Sequence, residues 1–174
     1  MPLSFSLATG ADVPALAALV NSAYRGETSR QGWTTEADFF DGPRTDEAHV
    51  RELLAEPGAV ILQAHDDETG QRAGCVYLQP QGADLYLGML AVAPAGQARG
   101  VGRQLLAAAE HHAHCVGCAA IRISVIAVRA ELRAWYERQG FRATGETEPL
   151  HVPARFGTAR QPLELVYLRK PVAA

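Results

Sequence analysis

The feature that most restricts the fold of this chain is an apolar segment that runs into a glycine-rich loop and then a helix. Residues 90–92 are Leu-Ala-Val, residues 97–103 are Gln-Ala-Arg-Gly-Val-Gly-Arg, and helical spacing of apolar side chains begins at residue 100. Glycine lets a backbone approach a ligand closely. The first amides of a helix lack internal partners and lie at the positive end of its dipole. The segment therefore predicts a site for a phosphate or pyrophosphate.

Two well-known phosphate-binding loops do not fit these residues. A P-loop requires Lys and then Ser or Thr after its last glycine, whereas Gly102 is followed by Arg103 and Gln104. A dinucleotide-binding loop requires a third glycine where this chain has Leu105. From the loop alone, a glycine-rich connection that binds nothing stays an alternative.

Hydrophobic periodicity divides the chain into strands and helices. Strands are predicted over residues 3–8, 59–64, 73–79, 84–92, 120–128, 141–144 and 163–168, and helices over residues 12–24, 35–40, 46–55, 100–115 and 131–139. Short polar turns between the second, third and fourth strands indicate an antiparallel meander. The order predicts an α/β (α+β) fold, with a mixed, mostly antiparallel central sheet of about seven strands and helices on both faces.

Composition indicates one soluble domain over residues 1–174, because 18.6 kDa is an ordinary size for a single domain. Sixteen basic and nineteen acidic residues give a net charge of −3 without a basic block, which disfavours nucleic acid and anionic membranes as partners. Three cysteines, no leader-like start and no apolar run of membrane length predict a reduced, cytoplasmic protein.

The strongest candidate for metal binding is the segment Glu-His-His-Ala-His-Cys-Val-Gly-Cys at residues 110–118. A structural zinc site requires four convergent ligands, whereas these side chains diverge around a predicted helix at ~100° per residue. We therefore expect no metal. Cys75 lies in a predicted strand and is interpreted as a small core residue.

Several of these segments together resemble the GCN5-related N-acetyltransferase (GNAT) superfamily. Residues 97–102 match the superfamily's Gln/Arg-x-x-Gly-x-Gly/Ala pyrophosphate signature, and residues 90–92 match the strand that precedes it. Residues 135–141, Trp-Tyr-Glu-Arg-Gln-Gly-Phe, resemble the superfamily's aromatic-Tyr-Glu-…-Gly-Phe segment. The matching elements follow the family order over nearly the whole chain.

The resemblance implies acetyl-CoA, or another acyl-CoA, as the acyl donor, and it implies no metal. The pyrophosphate would lie on the amides of the loop, and the pantetheine would pair with residues 90–92 like an additional strand. Tyr136 would be the general acid that protonates the departing thiolate. The alternative is that Tyr136 is an aromatic residue of the core and has no part in catalysis. The donor-binding residues implied by the resemblance are Leu90, Ala91, Val92, Gln97, Ala98, Arg99, Gly100, Val101, Gly102, Arg103 and Arg129.

Two positions depart from the family pattern. Many relatives have an asparagine where this chain has Arg129, which then either holds CoA or the acceptor, or only caps a strand end. Many relatives have a carboxylate, the base for the acceptor amine, where this chain has Gly88. The base must come from elsewhere, act through water, or be unnecessary. The candidate groups are Glu27, Glu36, Asp84 and His151.

The acceptor pocket implied by the family architecture lies at residues 24–33 and 148–161. Both segments are dense in polar and aromatic residues, which is typical of specificity loops but also of ordinary surface loops. Arginines there could bind a carboxylate, whereas Glu27 could bind an ammonium group. These residues therefore do not decide whether the acceptor is negatively or positively charged. The candidate acceptor-binding residues are Tyr24, Glu27, Trp33, Tyr86, Met89 and His151.

The sequence thus predicts an acetyl-CoA-dependent N-acyltransferase. It would move an acetyl group directly, in a ternary complex, to the primary amine of a small molecule or peptide. The alternative from another class is a non-catalytic acyl-CoA-binding or sensor module, which Gly88 favours and Tyr136 disfavours. The oligomeric state, including a homodimer, stays open.

Overall fold

The structure, a computed structural model, describes residues 1–25, 29 and 35–173. The helices in these ranges are α1 (Val13–Tyr24), α2 (Glu47–Ala55), α3 (Val101–Cys115) and α4 (Ala130–Arg138). The strands are β1 (Leu3–Leu7), β2 (Phe40–Asp41), β3 (Val60–Asp66), β4 (Arg72–Gln81), β5 (Asp84–Val92), β6 (Ala120–Ile126), β7 (Arg142–Pro149), β8 (Thr158–Ala159) and β9 (Glu164–Pro171). The seven predicted strands and the four longer predicted helices are confirmed, with their bounds shifted by a few residues.

The short helix predicted over residues 35–40 is wrong. Phe40–Asp41 instead pairs antiparallel with Thr158–Ala159 in a two-stranded ribbon. The ribbon buries Phe40 in a small cluster with Ile126 and Leu163. These contacts join segments that are far apart in the sequence, so local periodicity does not report them.

Seven strands form one sheet in the order β1-β3-β4-β5-β6-β9-β7. Neighbouring strands are antiparallel except β5 and β6, which run parallel. That parallel pairing is confined to residues 84–86 of β5 and residues 120–122 of β6. Beyond these positions the two strands separate, so residues 87–92 have no pairing with β6. The mixed, mostly antiparallel sheet of seven strands is therefore confirmed.

β5 contains a bulge at Met89, whose backbone has a positive φ of +52°. Across the bulge β5 advances by three residues while β4 advances by two. The extra residue reverses the face to which the following side chains point. Leu85 and Leu87 accordingly pack into one core, whereas Met89 and Ala91 pack into the other.

Each face of the sheet has its own core, as the predicted helices on both faces require. α3 and α4 cover one face, where Tyr136 packs with Phe141. α1 and α2 cover the other face, with Leu16 and Val50 among the buried residues. Cys75 is fully buried there, as predicted, and burial raises the pKa of its thiol to about 12. Within the described ranges, every helix is too short or too polar to cross a membrane.

Gly157 precedes β8 and packs so closely on β2 that a side chain would not fit. A Cβ atom at Gly157 would lie 1.6 Å from the carbonyl oxygen of Asp41, and the residue has a φ of +95°. We expect Gly157→Ala to cost the strain of a positive φ plus about 1–3 kcal/mol of overpacking. Urea or thermal unfolding measures the loss.

The matched control is Gly145→Ala. Gly145 also has a positive φ, of +88°, but a Cβ atom there would meet nothing within 4 Å. The control therefore isolates backbone strain, which costs about 1–2 kcal/mol. Equal losses for the two variants would contradict the overpacking argument.

Candidate active site

A cavity of about 290 Å³ lies beside the part of β5 that is not paired with β6. We call it the donor cavity. Its walls come from the end of α1, β5, the glycine-rich loop, the start of α3, and α4. The lining residues are Ala23, Tyr24, Leu90, Ala91, Val92, Gly96, Gln97, Ala98, Gly100, Val101, Gly102, Arg103, Arg129, Leu132, Trp135 and Tyr136. The structure thus brings together the predicted donor residues apart from Arg99, which is exposed and lies outside the lining.

The glycine-rich loop has the backbone geometry that an anion-binding helix start requires. Ala98 and Gly100 have positive φ angles of +66° and +85°. The first hydrogen bond into α3 runs from the Gln104 amide to the Gly100 carbonyl, at 3.1 Å. The amides of residues 101–103 precede that bond, so the helix supplies them with no acceptor. They border the donor cavity and fit a phosphate.

The two loop glycines are required for different reasons. Gly100 needs its positive φ, which residues with a Cβ rarely adopt. Gly102 has no positive φ, but a Cβ atom there would lie 3.2 Å from the ring of Trp135. Trp135 is therefore packed directly over the start of α3, and Gly102 is the contact that brings α4 close to the loop.

Tyr136 is 6% exposed and lines the donor cavity. Its ring makes edge contacts with Trp135 at 4.9 Å and with Phe141 at 5.4 Å between centroids. Burial raises the pKa of the phenol above its usual value, and the neighbouring Tyr24 raises it further. The hydroxyl therefore stays protonated at neutral pH and can donate a proton.

A second cavity, of about 350 Å³, lies on the other side of Tyr136 and is called the acceptor cavity. The two cavities share Tyr24, Leu90, Arg129, Leu132 and Tyr136. The acceptor cavity also contains the predicted residues Tyr86, Met89 and His151. The other predicted acceptor residues, Glu27 and Trp33, lie outside the residues that the structure describes.

Three charged side chains are buried together where the cavities meet. Glu36 accepts hydrogen bonds from Arg25 Nε at 3.0 Å and from Arg129 at 3.4 Å, one on each carboxylate oxygen. All three residues are at most 6% exposed. Arg25 also donates to the Phe156 carbonyl at 2.9 Å and lies 4.0 Å above the Phe40 ring. This triad, Arg25–Glu36–Arg129, ties the end of α1 to the start of α4.

Among the candidate bases, two are engaged by arginines. Both oxygens of Glu36 lie in the triad. Asp84 accepts from Arg169 at 2.8 and 3.0 Å, which lowers the pKa of its carboxyl, and it lines neither cavity. His151 is exposed on the acceptor cavity. Glu27 lies outside the described residues.

Gly88 lies in the acceptor cavity, and a tyrosine fills the space beside it. A Cβ atom at Gly88 would lie 2.9 Å from the ring of Tyr86 and 3.2 Å from its hydroxyl. The phenol therefore stands where a longer side chain at Gly88 would project. Sequence reasoning identified both residues, but their contact depends on the bend of β5.

Sequence reasoning missed Arg44, His49 and Ser124, which also line the acceptor cavity. Arg44 follows a Gly-Pro pair, His49 lies in the first turn of α2, and no motif marks either residue. Desolvation, and then the charge of Arg44, lower the pKa of His49, so its ring is neutral at neutral pH. Over residues 1–25, 29 and 35–173, no group of three or more His, Cys, Asp or Glu side chains could hold a metal ion.

Residues 57–143 match the acetyltransferase (GNAT) domain family. The ribosomal-protein-S18-alanine N-acetyltransferase from Escherichia coli superposes with a TM-score of 0.72 at 20% identity, covering 99% of this chain and 96% of that one. The ribosomal-protein-alanine N-acetyltransferase from Brucella melitensis gives 0.69 at 26% identity, covering 97% and 99%. yncA from Salmonella typhimurium, solved with its cofactor acetyl-CoA, gives 0.64 at 21% identity, covering 98% and 94%. A search of curated protein sequences found no match.

The matched segment contains β5, the glycine-rich loop, α3 and α4, which form all the walls of the donor cavity except the end of α1. The chain therefore belongs to the GNAT acetyltransferase family, as its resemblance predicts.

The triad generates a stability prediction. Replacing Glu36 by Gln removes the carboxylate that two buried arginines share, so we expect Glu36→Gln to lose about 3–5 kcal/mol of unfolding free energy. The matched control is Glu52→Gln, because Glu52 pairs with Arg155 at 2.8 Å on the exposed surface. Such exposed pairs contribute about 0–1 kcal/mol. A loss at Glu36 as small as that at Glu52 would contradict a structural role for the triad.

Proposed function

We propose that this protein transfers an acetyl group from acetyl-CoA directly to the primary amine of a small molecule or peptide. The observation that carries the proposal is the meeting of two cavities at Tyr24, Leu90 and Tyr136. One cavity has an anion-binding helix start, and the other has a polar and aromatic wall. Two substrates bound in them would meet at Tyr136, which supports a ternary complex.

The donor cavity supplies the binding groups for acetyl-CoA. The amides at the start of α3 would hold the pyrophosphate, and exposed Arg103 would add charge. The free edge of β5 would pair with the amide groups of the pantetheine arm. Tyr24 donates a hydrogen bond to the Leu90 carbonyl, and the Gln97 side chain donates to the Val92 carbonyl at 3.2 Å. These bonds hold the edge and the loop in place.

Tyr136 is the proposed general acid. The acceptor nitrogen forms a bond to the acetyl carbon while the carbon–sulfur bond breaks, and the Tyr136 hydroxyl donates its proton to the sulfur. The nitrogen then loses a proton to solvent to give the neutral amide, and solvent returns a proton to the Tyr136 phenolate. The raised pKa means that the phenol is protonated before transfer. The acceptor loses its ammonium proton before attack to water or to the His151 imidazole on the acceptor cavity, since the carboxylate of the described acceptor wall, Glu36, is engaged by arginines.

A non-catalytic acyl-CoA-binding module is the second candidate. It is favoured by Gly88, which offers no side chain on β5 to take a proton from the amine, and by Glu36, which is committed to the triad. This candidate shares the donor cavity with the first but requires no acceptor turnover. The two therefore make the same prediction for acetyl-CoA binding and opposite predictions for Tyr136.

Acetyl-CoA should bind and stabilise the fold. At ligand concentrations of about 100 times the dissociation constant, the unfolding free energy should rise by ~2.7 kcal/mol, measured as an increase in Tm. Gly100→Ala should lose most of this increase, because its positive φ shapes the loop. Gly145→Ala, strained in the same way but away from the site, should keep it. An unchanged Tm with millimolar acetyl-CoA would refute the donor assignment.

Tyr136→Phe should lower kcat and kcat/KM together, by ~10²-fold, and leave the affinity for acetyl-CoA unchanged. General acids contribute ~10²–10⁴-fold, and an interaction made in the transition state lowers both constants equally. Because the raised pKa keeps Tyr136 protonated, deprotonation of this residue should not lower the activity of the wild type at mildly alkaline pH. Steady-state assays with an amine panel provide the test.

The matched control is Tyr77→Phe. Tyr77 is 4% exposed, packs in the opposite core and lines neither cavity. Removal of the Tyr77 hydroxyl should therefore leave turnover unchanged. Full activity of Tyr136→Phe would show that Tyr136 only packs, and absence of turnover in the wild type with bound acetyl-CoA would favour the binding module.

A further inference from the structure

Arg44 is a partly buried guanidinium with no carboxylate partner on the acceptor cavity. It lines the cavity, and its guanidinium carbon lies 5.5 Å from the centre of the Tyr24 ring. No ion pair joins it to a carboxylate of the described residues, in contrast to the surface arginines Arg155, Arg160 and Arg169. Its polar head is thus available to a ligand.

The backbone that carries Arg44 is held firmly. The side-chain oxygen of Asn21 accepts from the amides of Arg44 and Thr45, at 2.8 and 3.0 Å, and its nitrogen donates to the Thr45 carbonyl at 3.0 Å. α1 therefore fixes the position of the Arg44 backbone, while no carboxylate in the described part of the chain forms an ion pair with its side chain. This combination is expected of a binding arginine, because fixing the residue beforehand reduces the entropy lost on binding.

The charges around Arg44 also favour an anion. The described lining contains Arg25, Arg44 and Arg129 against one carboxylate, Glu36, which is already shared by two arginines. His49 is neutral, since burial and Arg44 lower its pKa. An ammonium group alone would be repelled here, whereas a ligand that also carries a carboxylate would compensate the excess charge.

We infer that Arg44 is the specificity residue of the acceptor cavity and that the acceptor is a small amine bearing a carboxylate, an amino acid in the broad sense. This inference rests on the proposed function. Arg44 binds the carboxylate through its planar pair of N–H donors. Tyr24 contacts Arg44 with its ring and bonds Leu90 with its hydroxyl, so one phenol ring separates the carboxylate subsite from the junction where the amine reacts.

The inference is tested with matched pairs of acceptors that differ only in charge. Glycine, β-alanine, γ-aminobutyrate, phenylalanine and glutamate are compared with their amides and with the corresponding plain amines. For the preferred skeleton, wild-type kcat/KM should favour the carboxylate on the order of 10- to 100-fold, as expected of a charged hydrogen bond. Arg44→Gln should remove that preference by lowering kcat/KM for the carboxylate and not for the neutral amine or amide.

Arg51→Gln is the matched control. Arg51 is an exposed arginine on α2, paired with Glu47 at 3.4 Å, and lines neither cavity, so its loss should not alter the preference. Arg44→Lys should retain part of it, because a lysine keeps the charge but not the planar pair of donors. Equal or greater kcat/KM for the neutral amines and amides, or a preference that persists in Arg44→Gln, would overturn the inference.

A second readout separates this inference from the proposed function. The N-acetyl derivatives of the same amino acids and of their amides are titrated into the protein with CoA, and Tm is measured. The wild type should be stabilised by the carboxylates and not by the amides, and Arg44→Gln by neither. That result supports the carboxylate subsite even if no acetyl transfer is detected. In that case the proposed function is rejected and the subsite is retained. Transfer without any carboxylate preference, or equal Tm shifts for carboxylates and amides, rejects the subsite.

Discussion

The separation of β5 from β6 is the constraint on which the site depends. The two strands run parallel, yet they are paired only over residues 84–86 and 120–122. Past that point β5 keeps its pairing with β4 but leaves its other edge without a strand. A bulge at Met89 turns the strand just there and exchanges the faces of its side chains. An open strand edge is a natural place for a chain-like ligand to pair.

The start of α3 and the helix α4 form further walls of the cavity that lies beside β5. α3 begins at the glycine-rich loop with unpartnered amides, and α4 covers the loop through the contact of Trp135 with Gly102. The same helix carries Tyr136 to the junction of the two cavities. The glycine-rich loop and Tyr136 therefore line one cavity because a glycine lets α4 approach the start of α3.

The acceptor side is organised by charge rather than by regular structure. The triad connects the end of α1 with the start of α4, and Arg25 further holds the backbone at Phe156. A carboxylate buried between two arginines is stable because each charge that is removed from water has an opposite charge beside it. The triad engages Glu36, and Arg44 has no carboxylate partner in the described acceptor wall.

The sequence by itself determined the elements and the residues that line the cavity beside β5. Period-two and helical apolar spacing located the sheet strands and the longer helices, and residues 97–102 located the glycine-rich start of α3, because these signals are local in the chain. Tertiary structure alone decided the β2–β8 ribbon, the bulge at Met89 and the approach of Tyr86 to Gly88. It also placed Arg44 opposite Tyr24. The ribbon, the bulge of β5 against β4 and the Arg44–Tyr24 contact depend on segments distant in sequence, and no periodicity records them. Tyr86 reaches Gly88 because the bend of β5, which is set by its pairing in the sheet, brings the two residues of one strand together.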